Sequence, residues 1–463
     1  MRRKIIILTA VLSILPWTAG YARVLTLQQC RDSAMANNQD LKIARQKVTV
    51  AGHDRKIAMS NYFPDISVSG AYMYNSRDIH LIPQEASDVL TGLGTPLQGT
   101  ILNHIGDILN KIGNDIDSAL ELDTQNIFIG AVSVTQPVFT GGKIVAANKI
   151  ASLAEELAQS QYDTGCRQLA AEVDKAYWQI VSISWKEKLA RDYSDLLQQM
   201  LHDTELMVNE GMATQSDLLS VKVRANEAQM LLTKAENGLS LSKMLLCQLC
   251  GMDIDSEITL EDEQAERIPE PEKGQEKGYA DIIAGRPEIR SLELAEEIYD
   301  RKVTVERAGM MPQIALTANY LLTNPNVYHG FSNTFAGMFN VGVAVKIPII
   351  HGCESWQKVR KAKAEAVIAE YRLEDARDKI MLQVTQLRKQ ETEAREKLEM
   401  AENSLESAEE NLRTATIGYS EGVIPSNTVM AAQSAWMKAH SEYIDAGIEL
   451  RMTADALARA ECR

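Results

Sequence analysis

Cys247 and Cys250, in the stretch LLCQLCG, have the spacing of a redox dithiol or of half a metal site. No second cysteine or histidine pair lies near them in the sequence, and the stretch closes a helical pattern, so buried packing at a helix end is the simpler reading. Cys30, Cys166, Cys353 and Cys462 are scattered singly, which is not the pattern of a disulfide framework. His53, His80, His104, His202, His329, His351 and His440 are isolated, and none belongs to a metal-ligand or nucleophile motif. The carboxylates fall mainly on polar helix faces, where solvation is their ordinary role. Ser216 and Asp217 follow soon after Gly211, and such a pair behind a glycine turn reads as the cap of a helix. The sequence therefore predicts no enzyme, no metal site and no cofactor.

What the chain offers in place of catalytic chemistry is a duplication. SNYFPDISVSGAYMY (60–74) is echoed by AGMMPQIALTANY (308–320), VSVTQPVFTGGK (132–143) by VAVKIPIIHGCE (343–354), and NEGMATQSDLL (209–219) by SEGVIPSNTVM (420–430). Pro64 and Pro312 are 248 positions apart, whereas Pro137 and Pro348, and likewise Gly211 and Gly422, are 211 apart. The 74 residues from Pro137 to Gly211 thus recur without a net gap, as expected of a single long helix copied as a unit. The 37-residue difference between the two offsets falls between the two alternating segments of the first copy, where a loop can grow.

Arg2, Arg3 and Lys4 precede an apolar run from Ile5, and Gly20-Tyr21-Ala22 supplies small residues at the positions a signal peptidase reads, so residues 1–22 are predicted to be a removed signal peptide. Without those three basic residues the charge moves from -15 to -18 (45 basic against 63 acidic), which speaks against nucleic acid as a partner.

The alternating segments predict strands at about 64–75, 126–137, 312–322 and 338–348. Ile66, Val68, Tyr72 and Tyr74 share one face and Asp65, Ser67 and Ser69 the other; Val132 and Val134 oppose Ser133 and Thr135. In the second copy Leu316, Ala318 and Tyr320 oppose Thr317 and Asn319, and Phe339, Val341, Val343 and Val345 oppose Asn340, Gly342 and Ala344. Strands of about ten residues suit a tilted crossing of an outer membrane, and aromatic residues at strand ends favour lipid contact over a half-buried soluble sheet. Four strands leave two open edges, so the chain must oligomerise, and twelve strands from three copies leave a lumen where eight would be filled by side chains.

After each second strand the period lengthens to about 3.5. Leu169, Val173, Tyr177 and Ile180, then Leu189, Tyr193, Leu196 and Met200, mark a packed stripe; the second copy repeats it as Ala394, Leu398, Ala401, Leu405, Ala408, Leu412 and Ala415. No proline occurs between Pro137 and Pro269 or between Pro348 and Pro425. A helix from about Lys143 to Glu210 would be roughly 100 Å long, and Gly211 and Gly422 then turn the chain into return helices. Each copy reads as helix, two strands, long helix, turn, return helix.

In this order of motifs the chain resembles the TolC-like outer membrane efflux proteins. LTLQQC at the mature start, the FP and MP strand starts, TQPVFTGGK with VKIPIIHGC, and the tips NEGMATQSDLL and GYSEGVIPSNTV together carry the resemblance over the mature chain. It implies a mainly α fold with a membrane β-barrel contribution: a homotrimer closing a 12-stranded barrel, continued by an α-helical periplasmic tunnel. It further implies a passive exit duct in the bacterial outer membrane, multi-pass and in contact with outer membrane lipid. The implied partners are a periplasmic adaptor (membrane fusion) protein and an inner-membrane pump of RND or ABC type, serving efflux or type I secretion. The family gate carries over to the tips at Gly211 and Gly422, with Asp217 in the acidic position and Tyr419 as the gate tyrosine. Ile424 stands where the best-known members have arginine, so a salt bridge from Asp217 to position 424 is excluded, and Thr428 and Ala431 stand where some carry acidic residues that ring the tunnel, so the resemblance does not extend to a cation block at the tip.

The expected organisation is a first repeat at 23–250 with its helical hairpin at 143–249, an acidic linker at 251–277, and a second repeat at 278–463 with its hairpin at 354–460. The extracellular loop 76–125 has Leu97, Ile101, Ile105, Ile108, Ile112 and Ile116 at helical spacing. The competing reading is a periplasmic coiled-coil adaptor or scaffold without a pore, which gives no reason for lipid-length apolar stripes on four strands.

Overall fold

The computed structural model describes residues 23–76, 79–80, 84–92, 100–122, 125–265, 267–269, 271, 274–328, 332–349 and 352–462. The predicted signal peptide and Leu97 lie outside them. In chain order the elements are β1 (Arg23–Leu25), α1 (Leu27–Asn37), α2 (Gln39–Ser60), β2 (Asp65–Tyr74), β3 (Ile79–His80), α3 (Gln84–Thr91), α4 (Thr100–Leu120), β4 (Glu121–Leu122) and β5 (Asn126–Phe139). There follow α5 (Lys143–Asn209), α6 (Gln215–Leu249), β6 (Ile258–Leu260), a 3-10 turn (Glu261–Gln264), α7 (Tyr279–Ala284), α8 (Pro287–Ala308), β7 (Gln313–Asn324), β8 (Ala336–Lys346), α9 (Glu354–Ser420) and α10 (Ser426–Ala460). The duplicated order of helix, strand, strand, long helix and return helix is thus present in both copies. The long helices α5 and α9 have 67 residues each and the return helices α6 and α10 have 35 each. At 1.5 Å per residue, 67 residues make about 100 Å.

The chain divides into two compact units. One comprises residues up to 51, 155–296 and 369–463 and is helical, with its core on α5. Val173, Tyr177, Ile180 and Val181 are buried there together with Cys30 and Ala34 of α1, Leu246 and Cys247 of α6 and Ile444 of α10. Further along α5 the buried residue is Leu197, while Leu196 of the predicted stripe is half-buried. The turn from 193 to 197 to 200 preserves the spacing of four and three, so the seam runs one residue later than the sequence reading placed it. On α9, Ala394 and Ala415 are buried and the stripe residues between them are half-buried among exposed neighbours.

The segment read as an acidic linker is partly built into this core. β6 pairs in parallel with β1, and Leu260 is fully buried. The 3-10 turn is tied to α5 by Tyr177 Oη donating to Asp262 Oδ2 at 2.6 Å and by Trp185 Nε1 donating to the Asp262 carbonyl at 3.2 Å. Burial first, and the Asp262 carboxylate second, push the Tyr177 phenol well above its ordinary pKa. Asp174, 2 % exposed, is held between Arg31, at 2.6 Å, and Arg459. A buried carboxylate needs such partners, because losing one would leave a charge stranded away from water.

The other unit comprises residues 52–154 and 297–368 and contains a four-stranded antiparallel sheet in the order β2-β5-β7-β8. The central pairing joins the last strand of the first copy to the first strand of the second. The α3 and α4 helices lie between β2 and β5 in sequence, and Ile108, Ile112 and Ile116 of α4 are exposed.

Candidate functional site

The register of the sheet decides which side chains meet. Val68 lies opposite Val132, Val132 opposite Tyr320, and Tyr320 opposite Phe339, so one apolar row crosses all four strands. Ile66, Val134, Ala318 and Val341 form the next such row. Between them, on the opposite face, Ser67, Ser133, Asn319 and Asn340 form a polar row, extended by Thr135 and Thr317. Asn319 Nδ2 donates to Asn340 Oδ1 at 3.0 Å, and Thr317 Oγ1 donates to the Gly342 carbonyl at 3.3 Å. Because side chains alternate with a period of two, a slip of one residue in any pairing would have mixed the faces. The apolar face is open: Val68 is 78 % exposed and Phe339 66 %. β2 and β8 are the edges of the sheet, each paired on one side among the described residues. No described helix is long and apolar enough to cross a membrane.

Gly141, where β5 hands over to α5, has φ +64°, and a Cβ there would lie 2.5 Å from the Met311 Cβ and 3.0 Å from the Ala308 carbonyl oxygen. The GG of TGGK thus allows a left-handed turn against a neighbouring backbone.

In the helical unit the two tips share one backbone plan. At the first, the Gly211 N–H donates to Val208 O at 3.0 Å and the Met212 N–H to Met207 O at 2.8 Å; at the second, Gly422 donates to Tyr419 O at 3.0 Å and Val423 to Gly418 O at 2.8 Å. Gly211 and Gly422 take φ +74° and +73°, the left-handed close of a helix that glycine adopts without a Cβ penalty.

Asp217 is the third residue of α6 and does a cap's work, but the cap itself is Thr214 rather than Ser216 or Asp217. Thr214 Oγ1 accepts from the Asp217 N–H at 3.2 Å, while Asp217 Oδ2 accepts from the Thr214 N–H at 3.1 Å and its hydroxyl at 2.7 Å. Thr214-x-x-Asp217 was the sequence signal for this. Asp217 Oδ1 also accepts from Ser426 Oγ of the second tip at 3.4 Å. The Thr214 hydroxyl and N–H, then Ser426, hold the Asp217 carboxyl below the usual carboxylate range.

Tyr419 reaches α5: its hydroxyl lies 3.3 Å from Thr204 Oγ1 and donates to Met207 Sδ at 3.4 Å. It packs half-buried beside Met200, Val221 and Val429. Ile424 joins the same cluster and covers Gly418. Asp217 and Tyr419 are therefore both anchored at the tips, through Ser426 and Thr204 respectively, two partners with no pattern in the sequence to announce them. Thr428 and Ala431 are exposed.

Among the described residues no group of three or more His, Cys, Asp or Glu side chains is placed to hold a metal ion. A cavity of about 820 Å³ in the helical unit is lined by Arg31, Arg167, Arg286, Arg451 and Arg459 with Asp174, Asp455 and Glu288. Arg31 and Arg459 pair there with Asp174 and Arg451 with Asp455, while Arg167 and Arg286 donate to the Gly285 and Ala460 carbonyls.

A sequence profile described as outer membrane efflux protein matches residues 30–251 and 278–460. The chain belongs to this family. Membership makes it a channel protein of the outer membrane with a periplasmic tunnel, not an enzyme. Protein CyaE of Bordetella pertussis is 24 % identical over 335 residues, 71 % of this chain and 69 % of its own. The fold is similar to that of the CmeC outer membrane channel of Campylobacter jejuni, with TM-score 0.73, 15 % identity and coverage of 94 % of this chain and 85 % of that one. It is similar also to the outer membrane protein VceC of Vibrio cholerae, with TM-score 0.71, 15 % identity and coverage of 94 % and 95 %. The family match spans both copies and favours the channel over the scaffold without a pore.

Proposed function

We propose that three copies of this chain assemble into an outer membrane exit duct whose twelve strands close one barrel, and that it serves an efflux pump or a type I secretion machine. The observation that carries the reading is the sheet, with two edge strands, an open apolar face and a polar face opposite. In hydrocarbon an unpaired strand edge costs several kcal/mol per exposed backbone group, on the order of the whole stability of a small domain. Closing β8 of one copy on β2 of the next removes every edge. Twelve strands put the polar rows around a wet lumen and the apolar rows against lipid. On this reading the loop 76–125 is extracellular, and the tips at Gly211 and Gly422 form the periplasmic end where an adaptor docks, bringing an inner-membrane pump of RND or ABC type.

The gate reading assigns Tyr419 and Asp217 to holding the tips together, with Tyr419 clamping α9 to α5. Mass measurement of the purified protein in detergent should give three chains; one or two would end the twelve-strand argument. In planar bilayers the protein should show a small conductance that rises in Tyr419→Ala, and an unchanged conductance would leave Tyr419 as packing alone.

A further inference from the structure

The six cysteines read from sequence as a CxxC pair and four scattered singles, and the fold regroups them. Cys30 of α1 meets Cys250, 220 positions later at the end of α6, and both are fully buried. The Cys250 thiol donates to the Cys30 carbonyl at 3.5 Å, and Ser33 Oγ, one turn beyond Cys30, donates back to the Cys250 carbonyl at 3.2 Å. Asn38 Nδ2 donates to the Leu249 carbonyl at 3.2 Å, and a Cβ on Gly251 would stand 2.6 Å from the Asn37 Cβ. The end of α6 therefore lies against α1 from Cys30 to its last residue, Asn37. The neighbouring Cys250 side chain holds the Cys30 thiol below the usual thiol range, and Cys30 together with burial pushes that of Cys250 above it. Cys247 is turned elsewhere: its Sγ faces the Ser256 carbonyl at 3.9 Å, and burial pushes its thiol up.

We propose that Cys30 and Cys250 are joined by a disulfide in the exported protein, fastening the first helix to the end of the first hairpin, and that Cys247 stays a free thiol. An outer membrane protein folds after crossing an oxidising compartment, where adjacent thiols do not persist reduced. The step is thiol–disulfide exchange with the disulfide of a periplasmic oxidant of the thioredoxin-like class. The Cys30 thiolate attacks that disulfide, forming a mixed disulfide and releasing one carrier thiolate. Cys250, deprotonated, then attacks the Cys30 sulfur, and the carrier leaves with both electrons as a dithiol. Two protons and two electrons pass from the pair, and the carrier is reduced by the same amount. Since neither sulfur is reachable once the core closes, the mixed disulfide on Cys30 forms before α1 docks, and docking brings Cys250 to it. A bond closing so long a loop removes much of the freedom of the unfolded chain.

The test is a peptide map of the full-length protein purified from membranes, denatured in iodoacetamide without reductant, digested and fragmented by tandem mass spectrometry. A cross-linked pair joining Cys30 to Cys250, with Cys247 alkylated, is the expected result. Alkylation of all three, or a bond from Cys247 to either of the others, overturns the proposal. Cys30→Ser should leave Cys250 alkylated, whereas Cys247→Ser should keep the link. Reductant should lower the thermal midpoint in detergent by on the order of 5 °C in the Cys247→Ser protein and leave that of the Cys30→Ser/Cys250→Ser protein unmoved; equal sensitivity in the two would contradict the bond.

Discussion

The two hairpin tips have the same backbone and different locks. Each closes on a glycine with φ near +74° and on the same pair of main-chain hydrogen bonds. The first then locks by polar chemistry, Thr214 and Asp217 satisfying each other's backbone groups at the start of α6. The second has Pro425 at the corresponding cap, which offers no side-chain acceptor, and it locks by an apolar contact of Ile424 over Gly418. Position 418 corresponds to Met207 and position 424 to Ala213, so the large and small partners have changed places between the copies. Duplication has kept what the main chain requires and exchanged what side chains can supply in more than one way. One consequence is that the first lock can titrate and the second cannot.

The sharpest way to break this comparison is to give the second tip the first tip's residue. In Gly418→Met the new Cβ would lie 2.5 Å from the Ile424 Cδ1 and 2.7 Å from its Cγ1, and overpacking of that kind costs about 1–3 kcal/mol. Hydrogen exchange of the amides from 421 to 430 should accelerate correspondingly, and the double variant Gly418→Met/Ile424→Ala, which rebuilds the Met207 and Ala213 pair, should recover most of the loss. Unchanged exchange in the single variant would remove the packing account.

Gly211→Ala and Gly422→Ala come next. Neither added Cβ meets an atom within 4 Å, so only the left-handed backbone is penalised, by about 1 kcal/mol in each. Equal acceleration of exchange at the two tips is expected, and a marked inequality would show that the backbones are not equivalent.

The smallest effect is in acid. Because the folded-state pKa of Asp217 is depressed, its contribution is fully present above the ordinary carboxylate value of 3.8 and is lost as pH falls below that value through the folded one. Exchange at the start of α6, corrected for intrinsic rates, should be unchanged between pH 7 and 5 and should loosen near pH 3, while the start of α10, which meets Asp217 only through Ser426 at 3.4 Å, should respond less. Thr214→Ala should abolish the difference between the tips by weakening the first at every pH, at a cost of about 1 kcal/mol.

The elements were legible because their signals are local. Absence of proline over α5 and α9, seams spaced by four and three, and alternation from Ile66 to Tyr74 each occupy one stretch of chain. The seam was misplaced only at Leu196, where two adjacent leucines make the register ambiguous until neighbouring helices choose Leu197. Asp217 and Tyr419 came from motif resemblance at the tips. Their anchors, Ser426 and Thr204, did not, because a lone hydroxyl on another helix has no spacing to betray it. The cysteines show the same limit: a CxxC spacing drew attention to Cys247, while the contact is made by Cys30.

By itself the sequence determined the repeat, the order of its elements, the length of its helices and the two faces of each strand, since periods of 2 and 3.6 are properties of a chain segment alone. Only the tertiary structure decided that β5 pairs with β7, aligning Val132 with Tyr320 so that the stripes of both copies fall on one face. It alone brought Cys30 to Cys250 and Arg31 to Asp174. Such meetings are set by how whole elements pack, and two residues a hundred or more positions apart leave no mark on each other's local sequence.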